Sequence, residues 1–340
     1  MARNGRVGGN LTVRVHKAYD LRLEDLERPE PKEDEVQIQV KATGICGSDS
    51  HYYTDGGIGM KKIDPNVPML LGHESAGIVS AVGAHVTSLK IGDRVAIEPG
   101  TNCTKCRRCK TGQYNLCENM RFCGSLINGP NNGTMREYIV CREDLCHPLP
   151  DHLSYEEGAL IEPLSVAVAS VKRTNPDLGS HIFVLGAGTI GLLCAAVARA
   201  RGCTSITIAD INENRLAFAK DYLGDIVRTI NLNEYPKKGH DEDPMAHAQP
   251  GAGGTVMLIG LGTPNVLMPL WIMTSREINT LTNFRYANCY PTAISLVASN
   301  AVPVKQLVTH RFPLQQVNEA FALMTKGGAD NIVKIQIGEF

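Results

Sequence analysis

Four cysteines fall within one short polar stretch of the chain. Cys103, Cys106, Cys109 and Cys117 follow the spacing C-x2-C-x2-C-x7-C, which suits four thiolates arranged tetrahedrally around one zinc ion. Two disulfides are the alternative, but the first ten residues, MARNGRVGGN, are polar and no apolar signal segment follows them. Eleven cysteines without such a segment indicate a reducing compartment. The stretch therefore predicts a structural zinc site in a cytoplasmic protein.

A second set of potential ligands is of mixed type. Cys46, His73, Glu74 and Glu162 offer a thiolate, an imidazole and two carboxylates, and such mixed sets leave one zinc position open for water or substrate. Adjacent residues of an extended chain point to opposite sides, so His73 and Glu74 can share an ion only if LGHES turns. Either carboxylate could be the direct ligand. We expect a second, catalytic zinc here, hence two per chain.

The composition is that of an ordinary soluble protein. The chain has 340 residues, 43% of them hydrophobic, and a formal net charge of −1, which allows two domains with separate cores. No apolar run approaches the roughly 20 residues that span a bilayer. No basic block with interleaved aromatic residues is present. We therefore expect neither a membrane nor a nucleic acid as partner.

The first half of the chain is predicted to be β-rich. Val36, Ile38 and Val40 alternate with polar residues, and residues 76–82 and 93–97 form similar short runs between glycines. Both ligand groups follow turn signals: GICGSD, LGHES, and the proline and glycine before the cysteine-rich stretch. The pattern predicts a small β domain that holds metal ligands on its loops.

A glycine-rich turn marks the start of a different domain. The apolar strand His181–Leu185 is followed by GAGTIG and then by the helix-forming run LLCAAVARAR. In such a turn Gly186 permits the tight bend, Gly188 lets the backbone approach a pyrophosphate, and Gly191 allows close packing of helix on strand. The arrangement predicts a dinucleotide site.

A carboxylate in the next strand strengthens this prediction. Residues 205–209 form an apolar strand that ends on Asp210, about 20 positions beyond the turn, where an acidic residue binds the ribose 2′-hydroxyl. The alternative is that Asp210 caps or precedes the helix predicted over 214–223. A carboxylate would repel the 2′-phosphate of NADP, so NAD is favoured. Arg215 lies near enough to face either a ribose or a phosphate.

One strand of the expected sheet is missing. Residues 226–230 form a third strand and residues 255–260 the next one, but the intervening NLNEYPKKGHDEDPMAHAQP is polar and rich in breakers. A doubly wound domain should have another strand and helix in this interval. We expect residues 255–260 to pair directly with His181–Leu185, which gives a sheet of five strands or fewer.

The motifs together resemble the zinc-dependent medium-chain alcohol dehydrogenases, and within them the polyol branch of sorbitol, xylitol and L-arabinitol dehydrogenases. The segments that carry the resemblance are GICGSDSHYY, LGHESAG, IGDRVAIEPG, the four-cysteine stretch, EEGALIEPLSVAV, VLGAGTIGL, FRYANCYPTAISL and VTHRFPL. It implies an α/β protein with a GroES-like catalytic zinc domain in residues 1–165 and 285–340. The remainder, 166–284, would be a Rossmann-type NAD domain, doubly wound, lacking one βα unit and shortened around 231–250.

The resemblance also implies an activity: NAD-dependent oxidation of a secondary hydroxyl of sorbitol, xylitol, L-arabinitol or a related polyol to the ketose. The alternatives are a dehydrogenase of simple alcohols or threonine, and an impaired isoform that only binds zinc and NAD. By resemblance we further expect a homotetramer.

Roles for individual residues follow from the resemblance. Cys46 and His73 would bind the catalytic zinc, Glu74 directly and Glu162 through a water, and Ser48 would pass the substrate proton toward the nicotinamide ribose and His51. Tyr52, Glu162, Arg285 and Tyr286 would line the polyol pocket, with ordinary aromatic packing as the alternative for both tyrosines. The residues expected to contact the dinucleotide are Gly186, Gly188, Ile190, Gly191, Asp210, Arg215, Ile259, Gly260, Leu261, Asn283, Phe284 and Arg285.

Overall fold

The chain divides into two compact units. The computed structural model describes residues 8–235, 251–260, 265, 267–326 and 331–339. Met1–Glu162 and Tyr290–Phe340 form the first unit, and Pro163–Cys289 forms the second. Both groups of candidate metal ligands belong to the first unit, and the glycine-rich turn belongs to the second.

The strands follow the predicted pattern closely. The run predicted at 76–82 begins two residues earlier, and the one at 93–97 begins one residue later. In chain order the strands are β1 (Gly9–Lys17), β2 (Asp20–Glu27), β3 (Glu35–Gly44), β4 (Gly57–Ile58), β5 (Lys61–Lys62), β6 (Met69–Leu70), β7 (Glu74–Val82), β8 (Arg94–Ile97), β9 (Gly100–Thr101), β10 (Arg121–Phe122), β11 (Tyr138–Arg142), β12 (Cys146–Pro148), β13 (His181–Leu185), β14 (Ser205–Asp210), β15 (Val227–Asn231), β16 (Thr255–Ile259), β17 (Asn279–Asn283), β18 (Val308–Phe312) and β19 (Lys334–Gly338).

The first and third helices begin at recognisable capping residues. Asp49 accepts a hydrogen bond from the Cys46 N–H at the start of the first helix, which ends at Gly56 with φ 62°. Ser154 and Glu157 form a capping box at the third. No helix within the described ranges is long and apolar enough to cross a membrane. The helices are α1 (Gly47–Asp55), α2 (Arg107–Lys110), α3 (Tyr155–Ala159), α4 (Ile161–Thr174), α5 (Thr189–Ala200), α6 (Glu213–Leu223), α7 (Leu270–Ser275), α8 (Tyr290–Ala298) and α9 (Val317–Thr325).

A seven-stranded sheet organises the first unit. Its strand order is β12-β8-β7-β3-β19-β18, and β11 pairs with β3. The alternating residues Val36 and Ile38 are fully buried and pack with Val79, Val95 and Ile97 in one core cluster, which accounts for their periodicity. β1 pairs with β2 and β6 in a smaller sheet, and β4–β5 and β9–β10 form short hairpins.

The second unit contains the predicted parallel βα arrangement. β13, β14 and β15 pair in parallel in that order, with His181 opposite Ser205 and Ile206 opposite Val227. α5 and α6 connect these strands, and Leu192 and Leu193 of α5 are fully buried. The predicted α/β class is confirmed.

The expected repair of the missing strand is wrong. β16 pairs in parallel with β17, and across the described residues β13 has β14 as its one partner. The described part of the unit therefore holds a sheet of three strands and a sheet of two. Leu185, the last residue of β13, is 70% exposed.

Candidate zinc and cofactor sites

The four-cysteine group closes on itself as the spacing predicts. The Sγ atoms of Cys103, Cys106, Cys109 and Cys117 all lie within 4.8 Å of one another, and all four thiols are free of disulfides. α2 and the turn after it bring them together, with Cys106 Sγ 3.5 Å from Cys109 Sγ. The alternative of two disulfides is not observed.

The protonation of this group fits a cation. Backbone N–H groups of Cys106 and Lys105 lower the pKa of Cys103 to about 6. Burial and the neighbouring thiols raise the pKa of Cys109 to about 12. Four crowded thiols cannot all ionise unless a positive charge sits among them. Zinc satisfies that requirement, so the donor set fits a structural zinc.

Three of the four mixed ligands also meet. Ligand atoms of Cys46, His73 and Glu74 lie within 4.8 Å of one another. Cys46 lies at the N-terminus of α1, and Glu74 is the first residue of β7. The chain turns at Gly72, whose φ is 92°, so the adjacent His73 and Glu74 reach the same point. This is the turn that sharing of one ion requires.

Asp49, which the sequence did not single out, joins this group. Its side chain is fully buried; Oδ2 accepts the Cys46 N–H at 2.9 Å and Oδ1 the Gly72 N–H at 3.1 Å. Oδ1 also lies 3.9 Å from Nδ1 of His73, a nitrogen with no hydrogen-bond partner in the described chain. Asp49 thus fixes the backbone on both sides of the ligand group. The only sequence signal was its position, three residues after Cys46 in α1.

The electrostatics of the group favour a cation. Burial lowers the pKa of His73, but Asp49 and the Cys46 thiol outweigh it and raise the pKa to about 10. The surroundings therefore stabilise positive charge at a place where burial alone would disfavour it. A divalent metal is a chemically suitable occupant, so the residues fit a zinc.

Lys334 is a second residue that sequence reasoning missed. Its Nζ donates to both carboxylate oxygens of Glu74, at 2.8 and 2.7 Å, and to the carbonyl of Ile45 at 3.0 Å. Both side chains of the ion pair are 5% exposed or less. Burial lowers the pKa of Lys334, yet Glu74 raises it above its usual value. The signal available was a lysine inside the apolar strand IVKIQI.

Glu162 lies farther from the compact group. It is the second residue of α4, 5% exposed, and its charge raises the pKa values of His73 and Lys334. Its carboxylate is outside the set of mutually close ligand atoms formed by Cys46, His73 and Glu74. Of the two carboxylates, Glu74 is the one that stands with the thiol and the imidazole.

The other predicted residues of the first unit lie on α1. Ser48 is half-buried and His51 is exposed. Tyr52 is 3% exposed, and its hydroxyl accepts the Leu126 N–H at 3.1 Å. Packing therefore accounts for the ring of Tyr52 but leaves its hydroxyl proton available for another acceptor.

The glycine-rich turn has the geometry that its spacing predicts. Gly186 has φ 101°, a value that favours glycine. A Cβ on Gly191 would lie 1.9 Å from the Gly186 carbonyl oxygen, so only glycine allows α5 to pack there. Gly188 precedes α5 and has open space beside it, and Ile190 lies in the first turn of the helix. This fits a pyrophosphate at the helix N-terminus.

Asp210 lies beside this turn and does not cap a helix. Its Oδ2 accepts the Ala187 N–H at 2.7 Å, and Oδ1 accepts the Asn212 N–H at 2.9 Å. The cap of α6 is Asn212, whose side chain accepts the N–H of Arg215. Arg215 is half-buried and lies in the first turn of α6, five residues after Asp210.

The remaining cofactor and pocket candidates follow β16 and β17. Gly260 comes directly after β16, which ends at Ile259, and Leu261 lies outside the described residues. Asn283 ends β17 and its Nδ2 donates to the Arg285 carbonyl at 2.8 Å. The Arg285 guanidinium lies 4.6 Å from the Phe284 ring centroid, and Tyr286 is 3% exposed. All of these belong to the second unit.

Known proteins resemble this chain over most of its length. Residues 32–151 match the alcohol dehydrogenase GroES-like domain. Sorbitol dehydrogenase of Gallus gallus is 41% identical, over 94% of both chains, and D-xylulose reductase A of Aspergillus oryzae is 38% identical, over 92% of both. A solved oxidoreductase/dehydrogenase of unknown specificity from Escherichia coli has a TM-score of 0.86 at 33% identity, covering 97% of this chain and 99% of its own. The chain belongs to the zinc-dependent medium-chain alcohol dehydrogenases, in their polyol branch.

Proposed function

We propose that this protein oxidises a secondary hydroxyl of a C5–C6 polyol, such as sorbitol, xylitol or L-arabinitol, to the ketose, with NAD as the hydride acceptor. The observation that carries the proposal is the compact group of Cys46, His73 and Glu74. It occurs in a chain whose relatives are a sorbitol dehydrogenase and a D-xylulose reductase. We propose residues 1–165 and 285–340 as the catalytic domain and 166–284 as the NAD domain.

Cys46, His73 and Glu74 would hold the catalytic zinc, and Glu162 would contact it through water. When bound, zinc would supply the charge that lowers the pKa of a substrate hydroxyl, and NAD would accept the hydride. A thiolate and a carboxylate offset the ion's formal charge, which suits a reversible reaction.

The side chains of this protein would move the proton and recognise the polyol. Ser48 would take the proton of the reacting hydroxyl and pass it toward His51, which is exposed to solvent. Tyr52, Glu162, Arg285 and Tyr286 would supply hydrogen-bonding partners to the other hydroxyls, which an aliphatic-alcohol pocket would lack.

Cofactor choice would depend on Asp210. Its carboxylate lies at the glycine turn, 2.7 Å from the Ala187 nitrogen, and would bind the ribose 2′-hydroxyl of NAD. Gly186, Gly188 and Gly191 would cradle the pyrophosphate.

Two zinc ions per chain are proposed, the second held by Cys103, Cys106, Cys109 and Cys117. Elemental analysis of gently purified protein should approach two, and Cys103→Ser should lose one zinc together with stability. The catalytic ion should be removed first by a chelator, because an open site has one protein ligand fewer. We also propose a cytoplasmic homotetramer, which light scattering would test.

An NAD-linked assay over sorbitol, xylitol, L-arabinitol, galactitol, ethanol and threonine tests the function. We expect the polyols to have the higher kcat/KM, and Glu162→Gln to reduce turnover sharply. If ethanol or threonine has a higher kcat/KM than every polyol, the proposed polyol specificity is wrong.

A catalytically impaired zinc- and NAD-binding protein is the second candidate. The observation that favours it is the division of the described second unit into sheets of three and two strands, because the fourth strand normally lies where the dinucleotide crosses. A variant with a family-like βα insert at 231–250 should bind NAD more tightly and turn over faster. Equal affinity and equal turnover in both forms would exclude this candidate.

A further inference from the structure

His51 and Asp55 form an ion pair on the outer face of α1. Nδ1 of His51 lies 3.1 Å from Oδ2 of Asp55, one helical turn away. The two side chains are 59% and 54% exposed. The second oxygen of Asp55, Oδ1, lies 2.8 Å from the Thr54 hydroxyl, which also lies 3.0 Å from the Ser50 carbonyl. The main-chain carbonyl of Asp55 accepts Lys62 Nζ at 3.0 Å. Both carboxylate oxygens of Asp55 therefore have a polar contact.

This contact decides which nitrogen of His51 carries the proton. Hydrogen bonds from His51 and Thr54 lower the pKa of Asp55, so its carboxyl group is ionised and can only accept. The proton of the contact must therefore be on Nδ1 of His51. In the neutral imidazole Nε2 then has the lone pair.

Charged groups of the β4–β5 hairpin and of β1, which pack on α1, have other partners. Lys62 from the β4–β5 hairpin acts on Asp55 rather than on His51. In β1, Arg14 and His16 pair with Glu24. Within the described chain the ion pair of His51 is the one with Asp55.

We propose that Asp55 is a positioning residue that locks His51 in the Nδ1–H tautomer, so that Nε2 is the proton acceptor in polyol oxidation. The inference rests on the proposed function. Ser48 and His51 are three residues apart on α1 and share a face of the helix. The O–H bond of the substrate breaks, its proton reaches Nε2 by way of Ser48, and the hydride pair goes to NAD. His51 then releases the proton to water, since it is exposed.

The chain contains a matched histidine and carboxylate pair for comparison. Nδ1 of His85 lies 3.5 Å from Oε2 of Glu33, and the two side chains are 69% and 76% exposed. Neither residue belongs to the proposed site. Glu33→Gln is therefore the control for Asp55→Asn, because each removes one carboxylate charge beside an exposed imidazole.

The test combines NMR and kinetics on the zinc- and NAD-loaded enzyme. With ¹⁵N-labelled histidines, the His51 signal, assigned by its loss in His51→Asn, should report Nδ1–H in the wild type and a mixture of tautomers in Asp55→Asn. The same substitution should lower kcat about two- to fivefold with KM unchanged. Glu33→Gln should leave kcat as in the wild type.

A double variant separates positioning from a general effect. In a His51→Asn background, Asp55→Asn should cause no further loss of kcat. The proposal is overturned if Asp55→Asn leaves both the tautomer and kcat as in the wild type, or changes the tautomer but not kcat. In those cases wild-type polyol oxidation would still stand. Absence of polyol oxidation in the wild type would overturn the proposed function and this proposal together.

Discussion

β3 of the first unit and β13 of the second unit differ in the number of strands with which they pair. β3 in the first unit pairs with β7, β19 and β11, and its Val36 and Ile38 are fully buried. β13 in the second unit pairs, in the described chain, with β14, and Leu185 is 70% exposed. A strand with neighbours on both sides opens only when its whole sheet opens, whereas an edge strand can separate alone. The metal ligands therefore rest on the more cooperative part of the protein.

Zinc binding and dinucleotide binding depend differently on this difference in strand pairing. Glu74 begins β7 and Lys334 begins β19, so both ends of their ion pair belong to the continuous sheet. Gly186 directly follows β13, and Asp210 is the last residue of β14. Zinc binding should thus survive conditions that already weaken dinucleotide binding.

Hydrogen exchange of the metal-loaded protein is expected to show the largest difference. Amides of β3 should exchange about 1,000-fold more slowly than those of β13, because among the described strands β3 pairs with three neighbours and β13 with one. Mass spectrometry of peptic fragments that cover the two strands measures this. β14, which has partners on both sides, serves as the internal control and should be intermediate or slow. Equal protection of β3 and β13 would remove the contrast.

Lys334→Met is expected to have the next largest effect. It leaves the Glu74 carboxylate buried without its partner, which costs about 3–5 kcal/mol of unfolding free energy in the metal-free protein. Added zinc should recover part of the loss, because the carboxylate would again face a cation. Urea unfolding with and without zinc measures both numbers.

Lys41→Met is the matched control for this change. Lys41 pairs with Glu339 at 2.6 Å, but the Glu339 side chain is 70% exposed, so the loss should be about 0–1 kcal/mol. A similarly small loss of unfolding free energy for Lys334→Met would contradict the buried position of the Glu74 carboxylate. It would also weaken the view that the first unit is the more cooperative of the two.

Local patterns predicted much of the site. The spacing of Cys103 to Cys117 predicted a compact four-thiol group, and the glycine turn with Asp210 predicted a carboxylate close to a helix N-terminus. Both depend on contacts within about 25 residues or on a standard βα unit. Cys46, His73 and Glu74 needed a turn at LGHES, which Gly72 provides.

Contacts between distant segments were the part that could not be predicted. Lys334 is 260 positions from Glu74 in the sequence, and only the pairing of β19 beside β3 brings them together. The fate of the shortened sheet was likewise a tertiary question. Local patterns located 255–260 correctly as a strand, but its choice of β17 over β13 depends on packing across the whole unit.

Asp210→Ser tests the proposed dinucleotide site of the second unit. Loss of the charge-assisted hydrogen bond to the ribose should weaken NAD binding by about 1.5–3 kcal/mol and ease the repulsion of NADP. Fluorescence titration with both cofactors measures the ratio, which should move toward NADP. Asp225→Ser removes an exposed carboxylate of the same unit and should change neither affinity. Unchanged affinities in Asp210→Ser would show that the carboxylate serves only the turn, through Ala187 and Asn212.

Tyr52→Phe is expected to have the smallest effect. It tests whether Tyr52 of the first unit binds the substrate in addition to packing in the core. The Tyr52 hydroxyl accepts the Leu126 N–H, so its removal should cost about 0.5–1.5 kcal/mol of stability. Because the hydroxyl still has a proton to donate, its loss should also raise KM for sorbitol about two- to tenfold while kcat stays within about twofold. Tyr53→Phe, one residue further along α1, removes a hydroxyl that has no hydrogen bond to the described residues and should change neither quantity. A stability loss in Tyr52→Phe with no change in KM would place Tyr52 among the packing residues rather than among the residues that bind the substrate.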